Sequence, residues 1–363
     1  MDALLPRVLT LAKAIQQIPA PTGEEHARAA FVQARWQEEG LPVVTDAVGN
    51  VYARVPGAQA SAPPLVISAH LDTVFPADTP LTLRQRGDRL YGPGIGDNSV
   101  AVAALFGLWW QIRAAGRPLS ADVWLVANVG EEGLGNLKGM KAVVARFGAT
   151  PRAYVVLEGL GLGWVYHRGL GVRRYRVRIA TPGGHAWARA GTPSAVHEMA
   201  ALVTRLDALP LPPQATLNVG VFRGGVSINT IAPEAEIEID LRAAEPAALR
   251  QLSKQVEKAF RRQRGPRVHL TWEIIGERPA GGLPEQHPLV VAAQEALARH
   301  GVRPALTLAS TDANWPLSRG LPAICLGLTL GGGAHTTDEY IQMRPLGTGL
   351  AVLADLVRAL IAP

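Results

Sequence analysis

The sequence has only one cysteine, Cys325, in the apolar run Ala323-Ile324-Cys325-Leu326. One thiol cannot close an intrachain disulfide, so the fold does not depend on an oxidising compartment. Its setting is that of a small core residue, not of a nucleophile. Long apolar runs are also missing. The longest, Val100 to Trp110, is too short to span a bilayer and reads as a buried helix. No basic stretch followed by an apolar one opens the sequence, so no secretory leader is expected, no membrane partner is expected, and the cytoplasm is the expected location. There is little charge asymmetry to exploit: 36 basic against 30 acidic residues, net +6, with the basic residues dispersed. The one cluster, Arg261-Arg262-Gln263-Arg264, closes an amphipathic helix, where cations suit the helix dipole. No aromatic-interleaved basic patch accompanies it, which argues against nucleic acid as a partner.

What is present is ample core. With 363 residues, 48% hydrophobic and 18% charged, the chain is an ordinary globular protein long enough for two domains. Residues 7–17 and the stretch from Thr22 to about Glu38 read as helices. Thr22-Gly23-Glu24-Glu25 has the capping-box pattern at the start of the second. Val43 to Val55 alternates around Gly49-Asn50 as a β-ribbon. Three buried strands follow: Leu65–Leu71, Asp122–Val129, and Ala153–Leu157 ending at Glu158. Helices at 99–113 and up to Phe147 lie between them. This alternation predicts an α/β fold with a mainly parallel sheet, in which the three strand ends meet along one rim.

The pattern changes after Gly169. Strands at 172–180, 215–222, 235–242 and 267–275, with helices at 194–209 and 246–263, give a βαββαβ order. That order predicts an inserted ferredoxin-like α+β domain over residues 170–280. Residues 1–169 and 281–363 then form one discontinuous catalytic domain, completed by a return linker at Pro279–Pro284, helices at 287–300 and 344–361, and a strand near 322–328.

The chemistry gathers at the predicted rim. His70 and Asp72 share a face of their strand, and Asp97, Glu131, Glu132 and Glu158 follow the turns and strands behind them. His335 sits in the turn Gly331-Gly332-Gly333-Ala334-His335-Thr336-Thr337-Asp338-Glu339. Two imidazoles and several carboxylates cannot share a pocket unpaired, and divalent cations would resolve the repulsion. Nitrogen and oxygen ligands without thiolate suit Zn²⁺, with Mn²⁺ or Co²⁺ open. The number of groups exceeds one tetrahedral site and suits two ions sharing a bridging carboxylate. Glu131 and Glu132 leave a strand end with diverging side chains, so one ligand and one base is the economical division.

Ala69-His70-Leu71-Asp72-Thr73-Val74, Gly92-Pro93-Gly94-Ile95-Gly96-Asp97, Gly130-Glu131-Glu132-Gly133-Leu134-Gly135, Glu158 and Ala334-His335-Thr336 together resemble the ordered motifs of the M20 metallopeptidase family. That family includes di- and tripeptidases, glutamate carboxypeptidases and N-acyl amino acid deacylases. The resemblance runs from Pro21-Thr22-Gly23 to the C-terminal helix. It implies that Asp97 bridges two metals, that His70 and Glu158 complete one site, and that Glu132 and His335 complete the other. It also implies Glu131 as general base and Asp72 as the carboxylate orienting His70. Asn98-Ser99 after Asp97 depart from the family's usual residues without removing a ligand.

Within the inserted domain, His185 in Gly183-Gly184-His185-Ala186 reads on its own as a loop histidine. The resemblance implies an oxyanion-stabilising imidazole lent to a partner subunit, hence a homodimer through an inserted lid and dimerisation domain. Asn229 reads equally as a turn residue and Arg278 as a surface cation. The resemblance places both on the substrate's carboxylate, which an arginine fork suits. Ser310-Thr311-Asp312-Ala313-Asn314 resembles a further substrate-proximal segment. The expected activity is metal-dependent hydrolysis of an amide bond near a free carboxylate, in a small peptide or in an N-acyl amino acid. An inactive binding homologue is a third alternative; it would lack a ligand or the base, and neither is lacking.

Overall fold

The computed structural model describes residues 4–116, 118–263 and 265–361. The chain divides into two compact units, one of residues 1–169 and 282–363 and one of residues Leu170–Gly281.

The first unit is built on a mixed, mostly parallel sheet. Its strands run in the order Val43–Thr45, Val51–Val55, Val123–Asn128, Leu65–His70, Ala153–Leu160, Ala323–Thr329, Trp164–Gly169. The four strands from Val123–Asn128 to Ala323–Thr329 are mutually parallel, so their carboxyl ends share one edge. Nearly every residue of these four is buried, as expected for parallel strands covered on both sides. The β-ribbon forms as its alternation predicts, with Val43 opposite Ala53 and Thr45 opposite Val51. The helix Val100–Ala115 is buried on all sides over Val100–Leu108, which explains its apolar run. It packs with the helices Leu4–Gln16 and Met343–Ile361. Phe106 stacks on Trp36, ring centroids 5.2 Å apart.

Several elements differ from the sequence reading. The strand at 153 does not end at Glu158 but runs to Leu160, because pairing with Ala323–Thr329 continues as far as Thr329 opposite Leu160. The helix after Thr22 begins only at His26, and the Thr22 hydroxyl donates to Asp72 Oδ2 (3.0 Å) instead of capping it. The Glu25 side chain likewise does not reach back to the Thr22 N–H; its Oε1 accepts from the Gly23 N–H at 2.9 Å. Trp164–Gly169, parallel to Ala305–Ala309, and a small sheet of Arg84–Arg86, Arg89–Tyr91, Tyr340–Gln342 and Gly331–Gly332 are additional elements. The return segment is tied down by Leu283, whose N–H donates to the His167 carbonyl at 2.9 Å.

The second unit is a four-stranded antiparallel sheet, ordered Ala215–Gly224, Glu234–Ala243, Gly171–Ala180, His269–Arg278, with the helices Ala195–Asp207 and Pro246–Arg262 on one face. Alternation decides the faces. Tyr175, Val177 and Ile179 are buried beneath the helices. Arg174, Arg176 and Arg178 point the other way and pair with Asp240, Glu238 and Glu236 on the neighbouring strand. Among the described residues no helix is long and apolar enough to cross a membrane.

Candidate metal centre

All the metal-centre candidates belong to the first unit, at the carboxyl edge of its four parallel strands. His70 ends Leu65–His70, beside Asn128, the last residue of the neighbouring strand. Glu131 and Glu132 follow that strand. Glu158 lies two strands away, inside Ala153–Leu160 and opposite Gly327. Asp97 arrives on the turn before the buried helix, and a close backbone approach brings it to Glu158. A Cβ on Gly159 would stand 2.0 Å from the Gly96 carbonyl oxygen, so only glycine lets the turn lie against the strand. Asn98, fully buried, fastens the same contact: its Nδ2 donates to the Leu157 carbonyl (2.8 Å) and its Oδ1 accepts from the Gly159 N–H (2.9 Å).

The result is two ligand groups sharing one carboxylate. His70 Nε2 is 3.1 Å from Asp97 Oδ1 and 3.7 Å from Glu158 Oε2. His335 Nε2 is 3.2 Å from Asp97 Oδ2 and 3.3 Å from Glu132 Oε1. Within each group the potential ligand atoms lie within 4.8 Å of one another. The same limit holds for His70, Glu131 and Glu132. The two glutamates therefore do not diverge as strand alternation would have them; they stand beyond the last strand residue, where the two-residue period no longer applies.

Asp72 makes contacts beyond the one expected with His70. The nearer partner of His70 Nδ1 is the Asp72 main-chain carbonyl, at 3.0 Å, with the carboxylate at 3.5 Å. The carboxylate itself accepts from the N–H groups of Glu131 (3.0 Å) and Glu132 (2.7 Å) as well as from Thr22. It thus aims the two glutamates from behind, and His70 gains a fixed tautomer from the main chain. Arg28, buried under this corner, donates to the carbonyls of Leu71 and Ile18. Burial lowers its pKa to about 10, with Asp72 opposing the shift. Asn128, also buried, donates to Asp312 at 2.6 Å, which ties the Ser310–Asn314 segment to the end of the neighbouring strand.

The electrostatics are those of a site under tension. Burial works against the His70 imidazolium, but Asp72, Asp97 and Glu158 outweigh it and hold its pKa well above the usual range. Asp97 and Glu132 raise His335 to about 10. Burial pushes Glu158 up to about 7, and the neighbouring carboxylates of Asp97 and Glu132 add to the rise. For Asp97 burial is outweighed by the two imidazoles, and its pKa lies far below the normal range. Carboxylates that need imidazolium to offset their charge would be offset better by divalent cations, and every donor atom is nitrogen or oxygen. The residues fit such ions.

Glu339 was not among the sequence candidates. It is fully buried and accepts from the N–H groups of Gly94 (3.1 Å), Gly96 (2.6 Å) and Asp97 (2.8 Å). Its only sequence signal is its position four residues after His335.

The profile of the Peptidase family M20/M25/M40 matches residues 66–359. The chain belongs to the M20 peptidase family. A succinyl-diaminopimelate desuccinylase of Gluconacetobacter diazotrophicus is 26% identical over 363 residues, covering 93% of each chain. An M20 domain-containing protein of Schizosaccharomyces pombe is 28% identical over 267 residues, which span 67% of this chain and 63% of that one. The crystal structure of a tripeptidase from Staphylococcus aureus superposes with a TM-score of 0.85 at 21% identity, covering 99% of each chain, which establishes the fold. This M20 chain is accordingly a hydrolase acting on amide bonds.

The remaining candidates lie in the second unit of this M20 chain. His185 pairs with Thr230 in a two-residue ribbon, and the Ala186 N–H donates to the Asn229 carbonyl at 2.9 Å, so His185 and Asn229 are neighbours. His185 is exposed. Arg278 is buried at the far end of the sheet, opposite Val172, whereas the loop carrying His185 leaves from Ala180. Ten-residue strands separate these ends by about 30 Å.

Proposed function

We propose that the chain is a dinuclear metal-dependent exopeptidase cleaving the amide bond of a small peptide beside a free carboxylate, with a carboxypeptidase or di/tripeptidase action. One observation carries this reading: Asp97 stands between two imidazoles, each accompanied by its own glutamate. His70, Asp97 and Glu158 would hold one ion and Asp97, Glu132 and His335 the other, with zinc first and cobalt or manganese as substitutes. When bound, such ions lower the pKa of water and polarise a carbonyl. Glu131 is the base. It takes a proton from the attacking water as oxygen bonds to the scissile carbon. It returns that proton to the amide nitrogen as the C–N bond breaks, leaving an acid and a free amine. Asp72 keeps Glu131 and Glu132 at the right height through their main-chain amides.

Substrate recognition is assigned to His185 and Asn229 at one end of the second unit and to Arg278 at the other. A small substrate cannot reach across about 30 Å of sheet. If all three residues serve one substrate, they must come from two copies. That requirement supports a homodimer in which the His185 imidazole, lent to the partner subunit, stabilises the oxyanion and Arg278 takes the carboxylate. The peptide or acyl-amino acid would be met in the cytoplasm. The desuccinylase relative, matched over nearly the full length of both chains, favours N-acyl amino acid deacylation as the second reading.

The test is a panel of di- and tripeptides and N-acyl amino acids assayed with metal analysis. Two bound ions and turnover of free-carboxylate substrates are expected. Glu131→Gln should retain both ions and lose about 10²–10⁴ in kcat. Full activity in that variant defeats the base assignment, and no turnover by the metal-loaded wild type defeats the reading as a whole.

A further inference from the structure

Glu339 is a buried carboxylate that the reaction scheme leaves unused, and its hydrogen bonds are distributed in an unusual way. Its Oε1 accepts from Gly96 and Asp97 and its Oε2 from Gly94, while its own carbonyl accepts from the Gly92 N–H at 2.9 Å. One residue therefore gathers four amides of the turn that presents Asp97. The same residue closes the turn that presents His335: the Glu339 N–H donates to the Thr336 carbonyl (3.2 Å), and the Thr336 N–H and hydroxyl donate to Gly333 (3.0 and 2.7 Å). His335 within that turn has φ 65°, a left-handed conformation that a non-glycine residue holds only when its surroundings fix it. The two turns are more than 200 residues apart in sequence, as the separations of 242 to 245 residues across these bonds show.

We propose that Glu339 is a positioning residue that sets the distance between Asp97 and His335, and thereby preorganises the ligand group those two form with Glu132. The proposal rests on the dinuclear reading. Its physical basis is directionality, since both carboxyl oxygens are engaged by main-chain N–H groups. A buried carboxylate accepting three N–H bonds is held in place as strongly as it holds them. A neutral Gln at this position would turn a donor amide towards at least one of the three N–H groups. The turn would then move, and with it Asp97. Outer-shell partners of metal ligands characteristically matter by 10–100-fold in affinity. Glu339 differs from such partners in gripping the main chain on either side of a ligand, not the ligand's side chain.

The experiment compares Glu339→Gln with Asp122→Asn. Asp122 is likewise a buried carboxylate, accepting from the Gly57 N–H at 2.9 Å and paired with Arg54, but it precedes the amino end of its strand, away from the centre. Zinc affinity of the purified full-length variants is measured by chelator competition alongside thermal melting. We expect Asp122→Asn to lose stability with wild-type zinc affinity, and Glu339→Gln to lose about 10–100-fold in zinc affinity. Equal zinc affinity in Glu339→Gln and wild type overturns the proposal. A wild type that binds no zinc overturns the dinuclear reading instead. Should Glu339→Gln not fold, amide exchange in the wild type decides. Gly96 and Asp97 must already be protected without metal, and if they exchange freely until zinc is added, the clamp does not preorganise the site.

Discussion

Replacing Asp72 with Asn changes one oxygen to an amide group and leaves volume almost unaltered, so its effect can be worked out from the distances. The carboxylate accepts from Glu131 N–H, Glu132 N–H and the Thr22 hydroxyl. Asn can serve only one of the two main-chain donors with its oxygen, and its NH₂ then faces the other. One charge-assisted bond is lost, worth about 1.5–3 kcal/mol, and one buried N–H is left unpaired, costing about 1–3 kcal/mol more. The sum, about 2.5–6 kcal/mol, corresponds to a fall in Tm of roughly 10 °C for a unit of this size. The effect on metal should be smaller. His70 Nδ1 is closer to the Asp72 carbonyl than to its carboxylate, and the carbonyl survives the substitution. Zinc affinity should therefore fall by only about tenfold, the lower end of outer-shell effects. Calorimetric melting of the metal-free protein and chelator competition read the two quantities separately. A melting temperature within about 2 °C of wild type, together with a collapse in zinc affinity, would refute the reasoning. It would mean that Asp72 acts on the imidazole and not on the two glutamate amides.

Three other outcomes follow from the same geometry. Glu158 titrates near 7 in the folded chain against 4.5 unperturbed, and His70 and His335 are also raised, so the folded metal-free protein holds extra protons. The stability these groups contribute is complete at low pH and is lost as pH rises through their folded values. The metal-free Tm should thus fall between pH 5.5 and 8 while the Tm gained on adding zinc grows; a zinc shift independent of pH would contradict the assignment of these groups as ligands. Gly159→Ala places a methyl 2.0 Å from the Gly96 oxygen and 2.4 Å from Val100, which should cost about 1–3 kcal/mol and separate Asp97 from Glu158. Wild-type melting and zinc binding in that variant would show that the contact relaxes freely. His185→Ala should depress turnover at unchanged metal content, and mixing it with Glu131→Gln under subunit exchange should restore activity; no recovery would remove the support for action in trans.

The cluster of candidate residues that the structure brings together is legible in the sequence because each sits in a short local motif: His70 at the end of an apolar strand, Asp97 in a glycine-rich turn, Glu131 and Glu132 after another strand. The ferredoxin-like unit is equally legible, since its strands alternate and its helices are amphipathic over long stretches. What holds the ligands is not legible in the same way. Glu339 reaches its three amides across more than 200 residues, and nothing near it in sequence marks it as buried. The strands of the small sheet are two or three residues long, too short for alternation to register, and owe their form to pairing between distant segments. Asp72 is legible in part. Its two-residue spacing from His70 suggests a carboxylate beside an imidazole, whereas the Glu131 and Glu132 main-chain amides that also bind it come from beyond the end of the next strand.

The strand Ala323–Thr329 lies between Ala153–Leu160 and Trp164–Gly169, and it is made only after the whole second unit. As the chain is synthesised, the two earlier strands must wait with a slot between them while roughly 150 further residues emerge, on the order of 10 s at ordinary translation rates. The inserted unit, with its own core, can finish folding within that interval. The first unit cannot, and its unfilled strand edges are the kind that seek other partners. His335 follows only six residues behind the strand that fills the slot. The group formed by Asp97, Glu132 and His335 would therefore be completed only after that slot can fill, and its completion would mark a chain whose sheet has closed.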